Sequence, residues 1–528
     1  MIKVLIADGL AAEGITKLKA SKQVELMEYA AIERDKLFEI LPMIDILIVR
    51  SRTQVDRELM ERVKNLKLVV RAGIGLDNID IEAATAHGVV VMNAPTGNIV
   101  TTAEHTLAMM FTISRHIAEA DASLKTGKWE KKKFQGNELR GKTLGLVGLG
   151  NIGKAVAERA LALGMRVLGF DPYISEETAA KQNIRLVGFE NLLQQSDYVS
   201  LHVPLTADTK HLIDRAALKK MRKGAYLINC ARGGIVDEEA LVESIDTGHL
   251  SGCALDVFEK EPLPLDSPLL KRSNIVTTPH LGASTDEAQI QVGLEVAEQV
   301  IQFIQEGVLK NAVNVPNITL EQLGVLKPYL SLCERLGSFV AQIAHPNHIR
   351  RLKVHYEGAI SSSHREILTL SVLKGFLTPL LSTPVNFVNA RNLMKERGIR
   401  IEESSDDQCA DYASLVEITL EGAETLTCSG TIFGKEESRI VSIDHFSIDA
   451  VPEGYLLFTK NVDQPGVIGS MGTLLGTRGI NIARMHLGRD KEKSQAIALI
   501  NVDSKADSET LELLRKTKGM LSVKQIKL

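Results

Sequence analysis

Residues 144–171, LGLVGLGNIGKAVAERALALGMRVLGFD, decide the fold of this chain. The apolar run 144–147 reads as a buried parallel strand. Gly148, Gly150 and Gly153 follow in G-x-G-x-x-G spacing and lead into an alanine-rich helical segment. A second apolar run, 166–170, ends on Asp171. Strand, glycine turn, helix, strand and acid in this order form a dinucleotide cradle. Gly148 permits the tight turn, Gly150 lets the backbone approach a pyrophosphate, and Gly153 lets helix and strand pack closely. Backbone N–H groups at the helix start then face the phosphates. Asp171 follows Gly153 at close to the ~20-residue spacing of a carboxylate that holds an adenosine ribose. An acid there favours NAD, because a 2′-phosphate would meet a like charge.

On both sides of this segment the chain alternates short apolar runs with helical stretches. KVLIAD, DILIVR, LKLVVRAG and VVVMNAP before it, and YVSLHVP, AYLINCA, GCALDVF and NIVTTPH after it, read as parallel strands buried on both faces. Residues 98–122 read as one long helix, and 284–307 as another, closed by Gly307. Beyond Pro316 the pattern becomes α+β, with one helix near 328–344 and then alternating strands. Residues 455–528 run β-α-β-β-α-β, the ferredoxin-like order. A chain of 528 residues holds several domains at ~150 residues each. A net charge of −4 leaves no basic footprint for nucleic acid. No apolar run is long enough to span a bilayer. The five scattered cysteines have no metal-type spacing, so no metal is expected. Reduced thiols and a start, MIKVLIADGL, without the pattern of an export signal point to the cytoplasm.

Ligands of open α/β sheets bind beyond the carboxyl ends of strands. Arg50, Arg52 and Arg71 stand at such ends and suit an anion, although each alone reads as a solvated charge. INCARGGIVDEEAL delivers Arg232 with a helix cap at Asp237, ALDVFEKEP delivers Glu259 and Glu261, and VTTPHLGAST delivers His280. Hydride transfer from a 2-hydroxy acid needs a base for the hydroxyl proton, a cation for the carboxylate and a group that orients the base. Histidine, arginine and a carboxylate suit these tasks. His202, in SLHVP, competes with His280 for the first, and Arg232 has Asp237 and Glu238 as ordinary partners.

GLGNIG with Asp171, INCARGGIVDEEAL, ALDVFEKEP and PHLGAST, in this order, resemble the D-isomer-specific 2-hydroxyacid dehydrogenase family. RAGIGLDNID (71–80), NAPTGN (93–98) and GKWEKKKFQGNELRGKT extend the resemblance over residues 1–316. The resemblance implies NAD-dependent oxidation of 3-phospho-D-glycerate to 3-phosphooxypyruvate, in the phosphorylated route to serine. It makes Arg232 the substrate-binding arginine, Glu261 the acid paired with histidine and His280 the proton donor or acceptor. It places Arg50, Arg52 and Arg71 on substrate carboxylate or phosphate. NAD is then held by Gly148, Gly150, Asn151, Ile152, Gly153 and Asp171. Ile74, Cys230, Ala231, Arg232, Asp256, His280 and Gly282 lie toward the nicotinamide. Other chemistries of the family, such as reduction of glyoxylate or hydroxypyruvate, are the alternative, as is an NAD-sensing scaffold like a corepressor.

The resemblance further implies two Rossmann-like doubly wound parallel-sheet domains. One is discontinuous and binds substrate (1–97 and 288–316); the other binds NAD (98–287). The segment 317–452 resembles the extra α+β domain of long-form members, which makes subunit contacts in a homotetramer. Its Arg350, Arg351 and Lys374 suit an anionic effector or simply a solvated face. Residues 453–528 resemble an ACT domain, a regulatory unit that binds a small ligand. In serine-sensing versions the positions of Asn461, Asp463 and Asn481 contact the amino acid.

Overall fold

The computed structural model describes residues 1–344, 349–360, 364–490 and 494–528. The glycine segment folds as the strand Thr143–Val147, the helix Asn151–Ala162 and the strand Arg166–Phe170. All residues of Thr143–Val147 are buried, as an apolar strand covered on both faces must be. It lies inside a seven-stranded sheet. On one side stand Arg166–Phe170 and Arg185–Leu186; on the other stand Tyr198–Leu201, Tyr226–Asn229, Gly252–Leu255 and Ile275–Thr277. Every neighbouring pair is parallel. The strand order reverses between Thr143–Val147 and Tyr198–Leu201, so the Gly148 turn opens at the switch point where such sheets bind ligands.

A second, five-stranded parallel sheet comes from the N-terminal part, in the order Val24–Glu28, Ile2–Ile6, Ile46–Val49, Leu68–Arg71 and Val90–Asn93. The helix Asp286–Glu306 returns to this sheet: Val292, Val296, Ala297 and Val300 join its core beside Val70 and Met92. Gly307, with φ +72°, ends that helix in the left-handed conformation. The fold class of two doubly wound parallel sheets is therefore the one its strand runs announce.

One departure lies in 98–122, where a single helix is expected and two form, Ile99–Ser114 and Ile117–Lys125. The carbonyl of Ser114 accepts the N–H of Asn137 at 2.8 Å instead of continuing the ladder. His116 turns the chain with φ +52°. A partner 23 residues downstream cannot be read from periodicity.

The next unit carries a six-stranded sheet, antiparallel except for the pairing of Arg351–Gly358 with Arg400–Asp406. Burial alternates strictly along Arg351–Gly358 and Ser414–Glu421, the sign of a sheet with one covered face. Here the expectation of one helix is corrected. Leu320–Ile343 starts earlier, on a Thr319/Gln322 capping box, and two more helices follow, Arg365–Leu377 and Ala390–Glu396. Arg365–Leu377 is buried on nearly every side, so it lacks the apolar stripe by which a helix is recognised.

Leu320–Ile343 and Arg365–Leu377 cross where side chains are absent. A Cβ on Gly375 would overlap the carbonyl of Glu334, and one on Gly337 the carbonyl of Val372. Both obstacles are backbone, so no rotamer change relieves them. Gly375→Ala is expected to cost about 2–3 kcal/mol, as overpacking does. Thermal unfolding of the full chain measures it, as a loss in the transition of this unit.

The last unit is a four-stranded antiparallel sheet, Ile482–Asp490, Gln495–Val502, Tyr455–Val462 and Met520–Lys527, with helices Val467–Thr477 and Ser508–Lys516. Leu456, Ile497, Leu499 and Ile526 share a core with the preceding unit. That unit is tied in turn to the five-stranded sheet: Val388 enters its core, and Asn386 Nδ2 donates to the Gly88 carbonyl at 2.7 Å. Among the described residues, no helix is long and apolar enough to cross a membrane. Nor does any cluster there of His, Cys, Asp and Glu suit a metal ion.

Candidate active site

The cofactor end is built by close backbone packing. Gly148 has φ +94°, and a Cβ there would stand 2.5 Å from the His202 carbonyl. A Cβ on Gly153 would overlap the Gly148 carbonyl, so only glycine lets the helix start this near the strand. Gly150, the cap of Asn151–Ala162, has nothing within 4 Å of its Cβ position. The helix N-terminus thus opens onto free space, which fits a pyrophosphate. Asp171 ends the neighbouring strand, where its carboxylate accepts the N–H of Leu149 at 2.8 Å and that of Tyr173 at 2.9 Å. These bonds aim an acid at the glycine turn.

At the far end of the sheet, Asp256 is fully buried. Its carboxylate accepts Thr278 Oγ1 at 2.5 Å, the N–H of Leu281 at 2.7 Å and that of Gly282 at 2.8 Å. His105 Nε2 stands 3.2 Å away. Burial pushes this carboxyl upward, but the bonds from His105, Thr278 and Leu281 outweigh it and hold it below its ordinary value. The ionised Asp256 therefore organises the loop that carries His280, whose N–H donates to the Asp256 carbonyl at 3.0 Å. Cys230 nearby is buried, and burial pushes its thiol up to about 12, so it stays protonated.

His280 sits on that loop with φ +56°. Its Nδ1 is 2.7 Å from Glu261 Oε2, and Glu261 Oε1 accepts the N–H of Phe258 at 3.1 Å. The Glu261 bond raises the imidazole above its ordinary pKa against the opposing effect of burial. Burial would raise Glu261, but the bonds from His280 and Phe258 hold its carboxyl below the ordinary value. Of the two neighbouring acids, Glu259 turns away to His211 Nε2 at 3.1 Å. His202 is partly buried against Ser200 at 2.9 Å, and desolvation lowers it to about 4. It packs behind the glycine turn, and the base role is left to His280.

Arg232, just past the end of the strand Tyr226–Asn229, meets neither Asp237 nor Glu238. Asp237 caps the helix Glu238–Asp246, and Arg232 Nε lies 3.2 Å from Asp77 Oδ2, on a loop of the five-stranded sheet. Arg71, mostly buried, faces Arg232 and Arg50 as like charges, and burial lowers it to about 10, still a cation at neutral pH. Its Nε is buried without a hydrogen-bond partner. Arg52 is not drawn into this group; it pairs with Glu33 at 3.2 Å. Ile74 is fixed beside them by Asn93 Nδ2, which donates to its carbonyl at 2.7 Å. The ends of both parallel sheets thus bring Arg71, Arg232, Glu261 and His280 to one cleft. Its framework also holds Asn93, Asp77 and Thr278, which lie within NAPTGN, RAGIGLDNID and VTTPHLGAST without having been singled out, and His105, which carries no motif.

In the last unit, Asn461 is buried, with Nδ2 on the Val462 carbonyl at 2.7 Å and Oδ1 unpartnered. Asp463 pairs with Arg489 at 2.7 Å, and Asn481 donates to Asp503 at 2.7 Å. Two of the three cations considered for an anionic effector are engaged as well: Arg351 with Glu402 at 3.1 Å and Lys374 with Glu334 at 2.8 Å.

Three family models match the chain in succession. Residues 107–282 match the D-isomer specific 2-hydroxyacid dehydrogenase NAD binding domain, 325–444 the D-3-phosphoglycerate dehydrogenase intervening domain, and 455–519 the ACT domain. The D-3-phosphoglycerate dehydrogenase of Archaeoglobus fulgidus is 43% identical, and that of Bacillus subtilis 40% identical, each over 100% of both chains. Among solved structures, D-lactate dehydrogenase from Aquifex aeolicus, complexed with NAD and lactic acid, is 29% identical with a TM-score of 0.53. It covers 60% of this chain and 100% of its own. The parallel sheets, the glycine cradle with its acid, and full-length relatives at this identity agree: the chain belongs to the D-3-phosphoglycerate dehydrogenase family of NAD-dependent oxidoreductases.

Proposed function

We propose that the chain oxidises 3-phospho-D-glycerate to 3-phosphooxypyruvate with NAD, the first step of the phosphorylated route to L-serine. The observation that carries the reading is the His280–Glu261 pair at 2.7 Å, in one cleft with Arg232 and Arg71. Bound NAD supplies the hydride acceptor, held by Gly148, Gly150, Asn151, Ile152, Gly153 and Asp171. Ile74, Cys230, Ala231, Asp256 and Gly282 line its nicotinamide end.

Glu261 takes the Nδ1–H of His280, which leaves Nε2 free to remove the hydroxyl proton. As the imidazole becomes a cation, the same carboxylate stabilises it. Arg232 anchors the substrate carboxylate beside the carbon that loses hydride, its fork matching two oxygens. Arg71, with Arg50 from a neighbouring loop, answers the phosphate, and Arg52 is left to Glu33. In this reading 1–97 with 288–316 bind substrate, 98–287 bind NAD, 317–452 make subunit contacts in a homotetramer, and 453–528 sense serine at Asn461, Asp463 and Asn481. The buried Oδ1 of Asn461 without a partner supports the last assignment. Free cysteines throughout the described residues favour a cytoplasmic location.

The test is the rate of NADH formation from 3-phosphoglycerate, with and without millimolar serine. Turnover that falls when serine is added is the expected result. Equal turnover of a 2-hydroxy acid lacking phosphate would remove phosphoglycerate as the substrate.

A further inference from the structure

Asp77, in the RAGIGLDNID segment, has no task in the mechanism above. Its Oδ2 lies 3.2 Å from Arg232 Nε, an ion pair that joins the two parallel-sheet units across the cleft. Both groups fill the space beside Gly75, whose Cβ position lies 2.7 Å from Asp77 Oδ2 and against Arg232 Nη2. Arg71 experiences Arg232 and Arg50 as like charges and Asp77 as the opposite one.

The loop itself is firmly placed. Asn78 Nδ2 donates to the carbonyls of Arg50 and Thr53 at 2.8 and 2.7 Å, and the Asn78 carbonyl accepts the Val55 N–H at 2.8 Å. The Asp77 side chain is 61% exposed, so it can turn to water without moving the loop that carries it.

We propose that Asp77 is a built-in counter-anion that competes with the substrate carboxylate for Arg232. It thereby sets the affinity for anionic substrate and hastens release of the anionic product. This rests on the reading of Arg232 as the carboxylate anchor. Three guanidinium groups drawn toward one partly buried cleft repel each other, and a nearby carboxylate relieves that repulsion. Substrate binding exchanges one carboxylate on Arg232 for another. Because the Arg232–Asp77 pair is partly exposed it is weak, and the exchange costs only a small factor in affinity. Product carries the same two anionic groups, so Asp77 competes with it equally. Asp77 acts on substrate through Arg232 and is a positioning residue.

Asp77→Asn removes the charge and keeps the shape. In the full-length enzyme at saturating NAD, KM for 3-phosphoglycerate is expected to fall about two- to fivefold, the range of a partly exposed ion pair. The change falls on KM more than on kcat, and the salt dependence of kcat/KM steepens, while Asp77→Glu behaves as wild type. Inorganic sulfate, titrated by calorimetry into the NAD-bound enzyme, binds Asp77→Asn tighter by a similar factor, a readout that needs no turnover.

An unchanged or raised KM with unchanged or weaker sulfate binding, in a variant that melts with the wild type, overturns the proposal. Tighter sulfate binding in a protein that does not oxidise 3-phosphoglycerate overturns the substrate assignment and leaves Asp77 its role. Unchanged sulfate binding in an enzyme that does oxidise it removes only the role of Asp77. If Asp77→Asn fails to fold, Asp77→Ser takes its place. Failure of both marks a structural residue and overturns the proposal.

Discussion

Replacing His280 with alanine is expected to lower kcat by about 10²–10⁴-fold, the contribution of a positioned acid–base group. NAD affinity changes little, because the glycine turn and Asp171 lie at the other end of the cofactor site. The side chain hangs from a loop whose backbone is held by Asp256, through the N–H groups of Leu281 and Gly282 at 2.7 and 2.8 Å. Removing the imidazole therefore leaves the loop in place, and the loss reports chemistry. Stopped-flow NADH formation gives kcat, and fluorescence titration gives NAD binding. Unchanged turnover with intact NAD binding would falsify the assignment.

The pH profile gives an independent check on the same pair. Glu261 favours the imidazolium, so the His280 pKa in this site lies above its ordinary value. Oxidation needs the neutral base, and kcat/KM rises as pH climbs through that raised pKa. Glu261→Gln withdraws the charge, lowers the pKa and moves the rise to lower pH, with a smaller plateau because the nascent cation loses its support. The reverse reduction, which needs the imidazolium as donor, loses its alkaline limb earlier. A profile that stays put in Glu261→Gln would detach the acid from the histidine.

Arg232→Lys is the second large effect, an expected fall in kcat/KM of about 10–100-fold from the loss of charge-assisted bonds. Lysine keeps the positive charge but has no planar fork, so a carboxylate held at two oxygens is held at one. Its shorter reach also leaves the Asp77 contact at 3.2 Å unmade. The deficit belongs to the substrate: KM for NAD is expected to stay within a small factor, and initial-rate kinetics with each reactant varied separates the two. A loss confined to NAD would assign Arg232 to the cofactor instead.

Residues 144–171 made the NAD cradle legible because the glycine turn is a local device: three backbone positions, one helix and one acid carry it. The buried strands were legible for a similar reason, since a strand covered on both faces writes an unbroken apolar run. Helix Arg365–Leu377 was not, because a helix buried all round has no stripe. The break at Ser114 was not either, because its carbonyl is taken by Asn137, outside any local window. Arg232, Glu261 and His280 could be named as reactive residues at strand ends, but spacing left His202 beside His280 and Glu259 beside Glu261.

The sequence by itself determined a dinucleotide-binding α/β chain, its preference for NAD and the reactive residue types at its strand ends, because each depends on a short run of neighbours. Tertiary structure decided which of them meet. It packed His202 behind the glycine turn, where desolvation lowers its pKa to about 4, and turned Glu259 to His211. It brought Glu261 to 2.7 Å from His280. It also set Arg71 and Asp77 from one sheet against Arg232 from the other. Those contacts depend on the approach of two sheets whose strands lie far apart in the chain, and long-range charge and burial are properties of that approach.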